Sequence, residues 1–389
     1  MKNKIFILFF CFLFLTGCGN YRELNKIAII TGVGIDKKDN EYVVNMLIAN
    51  AGKSETSNKE GESQPTIYSG NGKTIAEAVK KVNTKTPKQL YFGHVNVVLI
   101  SESIAKDGFL NIADYLLRKP ESRKKFYLIM TKDTSPKDVL EIVSPLESFP
   151  SQNIETLIEA NAKTQSITNF VTYSDFINQI LTKGLEPILP SITVVGNQKK
   201  GNDKANLDTT TPKAYIKIDK TAVFKDDKFV GFLSNNDSQA LNILKNTVNQ
   251  SVFTIKYKGE YVNITARNIS SKTSLKSKNK IEIKVKGDYR LTEINNFTDL
   301  NDDKSIKEIE RLFNKKIKRK INDVILKMKN DYKSDIFGFG NMVYKKYPNY
   351  FETKWNDEYF SNIDVSIKSD VKLISTGSLE NTIRKENSK

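Results

Sequence analysis

The chain of 389 residues carries 61 Lys and Arg against 45 Asp and Glu, a formal charge of +16, with two cysteines and one histidine. That inventory excludes a disulfide-stapled scaffold and a zinc site built from His and Cys, and it leaves a single histidine as base for any Ser–His or Cys–His nucleophile. A hydrophobic content of 39% over this length fills the cores of two or three domains, and the basic surplus fits an anionic membrane surface as well as a solvated, lysine-rich exterior.

Lys2 and Lys4 precede an apolar run from Ile5 to Leu15, the charged and hydrophobic regions of a secretory signal. The run falls short of the about 20 apolar residues that span a bilayer, so removal is expected rather than anchoring. Leu15-Thr16-Gly17-Cys18 resembles a bacterial lipobox. The resemblance implies that residues 1–17 are a lipoprotein signal peptide and that a diacylglycerol on Cys18 is the lipid attachment. The alternative is an ordinary secretory leader with a cysteine near the cut by chance. Cys11 leaves with the leader, so the mature chain has one cysteine, alkylated by lipid, and no internal disulfide. Export also makes nucleic acid an unexpected partner.

Residues 18–195 read as a mixed α/β region that could split into two subdomains. Ile27 to Ile35 and Tyr42 to Ala49 are β-type runs flanking Lys37-Lys38-Asp39-Asn40, a hairpin pattern, and the polar stretch Lys53 to Gln64 is an expected loop. Thr74 and Glu77 have capping-box spacing ahead of Ile75, Ala78, Val79 and Val82 on one helical face, with Pro87 as the stop. A strand at Val95 to Ile100, a helix at Phe109 to Arg118 and a strand at Lys125 to Thr131 follow. Ser135-Pro136 opens a helix to Val143, Ile154, Leu157 and Ile158 share a face after Ser151, and Thr172 with Asp175 caps a helix that Gly184 ends.

Residues 196–212 lose nearly all apolar side chains and read as a linker between domains. Residues 213–378 form the expected second domain. Ala214 to Phe224 and Phe229 to Leu233 flank Lys225-Asp226-Asp227-Lys228 as a hairpin, and a short helix lies near Ser238 to Lys245. Strands at Val252 to Tyr257, Tyr261 to Ile269 and Ile281 to Leu291 alternate apolar and polar, the pattern of an antiparallel sheet with one wet face. Ser305 with Glu308 is the expected cap of a long helix whose apolar face runs from Ile306 and Ile309 to Met328 and Tyr332; unbroken to Ser334 it would be about 45 Å long. Ile363, Val365, Ile367, Val371 and Leu373 make a last strand before a polar tail, 379–389. The fold class expected is α+β and multi-domain, the C-terminal part a mostly antiparallel sheet packed on the long helix.

Little here reads as chemistry. His94 precedes a buried strand and is expected as a packed side chain rather than a catalyst or ligand. Gly32-Val33-Gly34 lacks the third glycine of a dinucleotide fingerprint, so close backbone approach within a strand is the better account. Carboxylates are abundant, but no pair is singled out. Lys315, Lys316, Lys318, Arg319 and Lys320 lie beside the helix's apolar face, a solvated surface by default and an anionic-lipid contact as the sharper reading. No catalytic residue, metal or cofactor is expected.

Several blocks in order resemble one family. They are Tyr21-Arg22-Glu23-Leu24-Asn25, Gly32-Val33-Gly34-Ile35-Asp36, Leu90-Tyr91-Phe92-Gly93-His94, Leu117-Arg118 with Pro120-Glu121, and Pro145-Leu146-Glu147. The second half adds Ala222-Val223-Phe224-Lys225, Val230-Gly231 and Ser334-Asp335-Ile336-Phe337-Gly338-Phe339-Gly340. Together they are similar to the Ger(x)C spore germination lipoproteins, the C subunits of nutrient germinant receptors. Gly19-Asn20-Tyr21 departs from the family's Trp-Asp after the cysteine, and Phe232 stands where Trp is frequent. The resemblance implies a lipoprotein on the outer face of the spore inner membrane, assembled with integral-membrane subunits of the A and B types to trigger germination, with no catalysis. The main alternative is a solute-binding lipoprotein of a transporter, which needs two comparable parallel lobes around a cleft. A tethered hydrolase is a third.

Overall fold

The computed structural model describes residues 23–49, 65–118, 125–147, 149–164, 166–294 and 302–375. Asp39 and Asn40 take φ of 49° and 62°, the left-handed pair that suits a two-residue hairpin, and turn β1 (Ile27–Lys38) back onto β2 (Glu41–Ala49). β3 (Thr66–Gly72) extends the hairpin on the far edge of β2. The sequence hides that strand, because only Ile67 and Tyr68 in it are large and apolar. On the other edge of β1, β4 (Gln89–Tyr91) and β5 (Val97–Ile100) pair in succession, both parallel to it. β6 (Tyr127–Thr131) and β7 (Ile188–Gly196) continue in parallel, and β8 (Ala214–Lys225) and β9 (Lys228–Leu233) close a nine-stranded sheet in antiparallel.

Both faces of this sheet are covered, which is why its central strands read as unbroken apolar runs. One face packs on the helices Ile75–Asn83, Leu110–Leu117 and Tyr173–Leu181; Phe109, Phe176 and Phe224 meet there edge to face, at 4.9 and 5.1 Å between centroids. The other packs on Pro136–Glu141 and Pro150–Thr164, through Leu140, Ile154 and Ile158. Reciprocal capping boxes start two of these helices, at Ser135 with Asp138 and Thr172 with Asp175. Gly34 does admit a close neighbour: a Cβ there would stand 2.8 Å from Cβ of Pro136. His94 differs from expectation. It is exposed at the turn before β5, its ring 5.7 Å from that of Tyr91, because Val95 and Val97 rather than His94 supply the buried side chains.

The stretch 196–212 also has a different place from the one its composition suggests. It joins β7 to β8, which pair with each other from Ile188–Val223 to Gly196–Ala214, so hydrogen bonding runs straight across the expected boundary and the first sheet ends at Leu233. Asn206 holds the connection: its amide donates to the carbonyls of Val143 and Ala214 and accepts from Lys213 N. A polar composition records exposure here, not separation.

The second sheet has the order β10 (Gln250–Tyr257), β11 (Glu260–Ser277), β12 (Lys280–Ile294) and β13 (Asp364–Ser375). The first three strands are antiparallel and β13 is parallel to β12. One face lies on the helix Asp303–Lys327, where Phe253 and Tyr289 both meet Phe313 edge-on. The N-cap is Asp302, not Ser305: its carboxylate accepts from Lys304 N, Ser305 N and the Ser305 hydroxyl, the place where an anion is favoured against the helix dipole. The α-helix runs 25 residues, about 38 Å, before a π-turn at Met328–Tyr332 and a left-handed Lys333 end it. Three short helices follow, Phe339–Lys346, Pro348–Lys354 and Asp357–Asn362. None is long enough to have announced itself by periodicity. Together with the long helix they carry the chain back to the starting end of β12, which makes β13 parallel. The molecule is thus α+β, as expected, with the core of the second sheet continuing onto Ile188, Val223 and Leu233 of the first.

Candidate functional site at the junction of the two sheets

Cys18, with the whole signal segment, lies outside the described residues, as do Tyr21, Arg22, Pro120 and Glu121. Three of the remaining sequence blocks converge. Ser334 follows the π-turn and is fully buried; its hydroxyl donates to the carbonyl of Phe224, 2.7 Å away, at the end of β8. Tyr332, just before it in the chain, donates its hydroxyl to the carbonyl of Phe232 on β9 at 3.0 Å. Asp335 uses its carbonyl to accept from Glu186 N at 2.9 Å. The blocks around Phe224, Gly231 and Asp335 therefore form one joint between the far edge of the first sheet and the helical side of the second.

Asp335 is the centre of this joint. One carboxylate oxygen accepts from Phe337 N and Gly338 N at 3.2 and 3.0 Å, the other from Gly340 N at 2.6 Å, which wraps residues 335–340 around the side chain. Gly338 takes φ of 76°, and Gly340 lies directly against Gly184, itself at φ 72°. Asn341 locks that contact, donating its backbone N–H to Gly184 O and its amide to Lys183 O. Trp355 stacks on Phe351 and closes over Gly340.

Two carboxyls here hold protons unusually well. Burial pushes Asp335 up to about 6, against the pull of its backbone donors. Burial likewise pushes Glu186 up to about 7, partly offset by the hydrogen bond its carboxylate accepts from Asp226 N. Lys245, at the end of the helix Asn235–Lys245, is shifted downward by burial, with Asp335 acting in the opposite direction. It lines a mixed cleft of about 360 Å³ with Gln179, Thr182, Leu185 and Ile188. Sequence reading found Asp335 through its block and Gly184 as a helix stop, but not their contact, and it missed Glu186 and Trp355, which carry no local signal and gain their roles only through contacts distant in the chain.

The other blocks serve the first sheet. Asp36 is buried at the end of β1, accepting from Lys37 N and the hydroxyl of Ser103. Leu90 and Tyr91 lie in β4, and Leu146 is 88% exposed in the loop before Pro150–Thr164. The basic cluster divides: Lys316 and Lys320 bend over the sheet, to the carbonyl of Thr254 and the amides of Asn236 and Gln239, while Lys315, Lys318 and Arg319 face solvent. Among the described residues no group of three or more His, Cys, Asp or Glu is placed to hold a metal ion, and no helix is long and apolar enough to cross a membrane. The joint is a positioning device: it fixes one sheet against the other through hydrogen bonds to Phe224, Phe232 and Glu186.

Comparison with known proteins accounts for nearly the whole chain. Residues 20–194 match the spore germination protein N-terminal domain, and residues 219–377 match the spore germination B3/GerAC-like C-terminal domain. The chain belongs to the Ger(x)C family. Its relatives include spore germination protein KC of Bacillus subtilis (strain 168), 27% identical with 95% of this chain and 94% of that protein covered. Spore germination proteins B3 and A3 of the same organism are each 26% identical, over 97% and 95% of this chain and 98% and 97% of theirs. The crystal structure of the GerBC protein has the same fold, with a TM-score of 0.53 at 21% identity, covering 88% of this chain and 97% of that one. The two domain matches of this Ger(x)C protein part between 194 and 219, whereas its first sheet crosses that gap through β8 and β9.

Proposed function

We propose that this Ger(x)C protein is the lipid-anchored subunit of a spore nutrient germinant receptor, held by a diacylglycerol on Cys18 at the outer face of the spore inner membrane. There it assembles with integral-membrane subunits of the A and B types and takes part in signalling, without catalysing a reaction. The observation that carries this reading is the family match over nearly the full chain, joined to a charged, apolar and small-residue order ending at Cys18. The two acyl chains of the diacylglycerol give a stable anchor, to which docking to membrane subunits and basic charge add. The transporter alternative is disfavoured by the second sheet, whose mostly antiparallel strands do not mirror the parallel centre of the first.

The test is germination of spores carrying Cys18→Ala, with the amount and membrane retention of the protein followed alongside. Loss of retention and of the nutrient response, with a nutrient-independent trigger still working, is the expected result. A normal response with normal retention refutes the anchor.

A further inference from the structure

The second sheet has one face on the long helix and one toward solvent. Along β12, Ile281, Ile283, Val285 and Tyr289 point inward, so Lys284, Lys286, Asp288 and Arg290 point out. The register then places Lys272 of β11 directly opposite Lys284, and Lys284 directly opposite Lys368 of β13. Neighbouring strands lie about 4.8 Å apart, so three lysines leave the sheet within about 10 Å, on the order of one Debye length at physiological salt. Like charges placed directly across strands destabilise a sheet. Glu282, one row along, pairs with Lys276 at 2.8 Å, Lys368 at 2.9 Å and Lys284 at 3.5 Å, but one carboxylate leaves this group with a surplus of positive charge. The adjoining rows bring Lys286, Arg267, Arg290 and Lys372 against Asp288 and Asp370, so the surplus grows along the face.

The other end of the same face is mixed, with a polar row of Thr254, Asn263 and Glu293 lying between exposed apolar side chains. Val252, Tyr261 and Ile374 are 45%, 62% and 54% exposed, and all three project outward, since their neighbours Phe253, Val262 and Leu373 pack inward. Val252 sits across from Thr265, and Thr265 across from Arg290, so the apolar residues border the cationic rows. A flat face with lysines in rows and large apolar residues at its margin meets two needs of a bilayer surface: phosphates for the ammonium groups and an acyl boundary for the apolar tips.

We propose that the outward face of the second sheet docks flat on an anionic lipid bilayer, its lysine row among the lipid phosphates and Tyr261, Val252 and Ile374 at the acyl boundary. The long helix offers a poorer surface. Arg311 and Arg319 there have Glu308 and Asp323 as partners, and the remaining lysines form a narrow line on a cylinder. An acidic protein is the competing occupant; the exposed apolar margin and the dominance of lysine over arginine favour lipid. The inference rests on the membrane-tethered reading but not on Cys18 itself.

The experiment uses the chain from residue 18 onward with Cys18→Ser, so that only the surface can bind. It is sedimented with vesicles of phosphatidylcholine alone or mixed with phosphatidylglycerol. Binding is expected only with phosphatidylglycerol. Replacing Lys272, Lys284 and Lys368 together by alanine should lower the partition coefficient about 100-fold, since each well-placed lysine contributes about fivefold at low salt. Lys315→Ala with Lys318→Ala should leave it unchanged, and Tyr261→Ser with Ile374→Ser should remove the part that survives high salt. Circular dichroism establishes that each variant is folded. No binding to phosphatidylglycerol vesicles, or equal binding by the folded triple variant, overturns the proposal. Binding of polyglutamate without vesicle binding points to an acidic protein and also overturns it. Because the Cys18→Ser chain carries no lipid, failure here leaves the Cys18 test standing, and failure there leaves this one.

Discussion

Replacing Gly340 by alanine is the sharpest test of the junction. A Cβ at that position would stand 2.5 Å from Cζ2 of Trp355 and 2.8 Å from Cα of Gly184. The indole is stacked on Phe351 and the glycine is backbone, so neither yields cheaply. Overpacking of this kind costs about 1–3 kcal/mol. The Gly340 N–H also donates to the Asp335 carboxylate at 2.6 Å, and loosening a bond to a charged acceptor adds about 1.5–3 kcal/mol. The control is Gly259→Ala in the β10–β11 turn, where φ is 88° but nothing lies within 4 Å, so only about 1–2 kcal/mol of backbone strain is expected. A difference of about 2–3 kcal/mol corresponds to about 2–4 °C in Tm for a chain of this size. Calorimetry on both variants measures it, with proteolysis reporting whether the two sheets loosen separately. If Gly340→Ala melts with the native protein, or no earlier than Gly259→Ala, the junction does not depend on that contact.

The junction should also make stability depend on pH. Glu186 and Asp335 have folded pKa values of about 7 and about 6, above their unfolded values, so the stabilisation they give is full below about pH 4 and is lost as pH rises through 6 and 7. Denaturant titrations between pH 4 and 8 should show this decline, on the order of 3 kcal/mol for each group, and Glu186→Gln should flatten its upper part; a decline that Glu186→Gln leaves unaltered would assign it elsewhere. Asp302→Ala, which strips the long helix of its N-cap, should cost about 1–2 kcal/mol by chemical denaturation, whereas Ser305→Ala should cost less because Ser305 itself donates to Asp302. Equal losses from the two would restore Ser305 as the cap.

Elements with a continuous local pattern are legible in the amino-acid sequence. The Lys37–Asn40 and Lys225–Lys228 hairpins, the Ser135 and Thr172 caps and the apolar stripe from Ile309 to Ile325 all follow from spacing alone. What escapes has a physical cause in each case. β3 lacks apolar alternation, the three helices between Phe339 and Asn362 are short, and Asp302 outcompetes Ser305 only because a carboxylate serves two backbone donors. The stretch 196–212 misleads because an exposed connection and a domain linker have the same composition. The junction is half visible: the block around Asp335 stands out, but its partners Gly184, Glu186 and Trp355 become partners only when distant segments meet.

The parallel pairing of β13 with β12 has a consequence for the order in which this protein comes together. The first sheet is complete once Leu233 is available, and it needs nothing from later residues to pair its strands. The second sheet gains its final strand from residues 364–375, close to the C-terminal end, and Asn314 of the long helix grips that strand by both backbone groups of one residue, donating to Val371 O and accepting from Val371 N. During synthesis from the N-terminus, the long helix and three strands therefore wait with an open edge until residues 364–375 have emerged. A chain stopped short of Asp364 carries an unpaired β12 edge and leaves Asn314 without Ser369 and Val371, so a truncated product is self-marking: it keeps a sound first half and exposes a sticky second one.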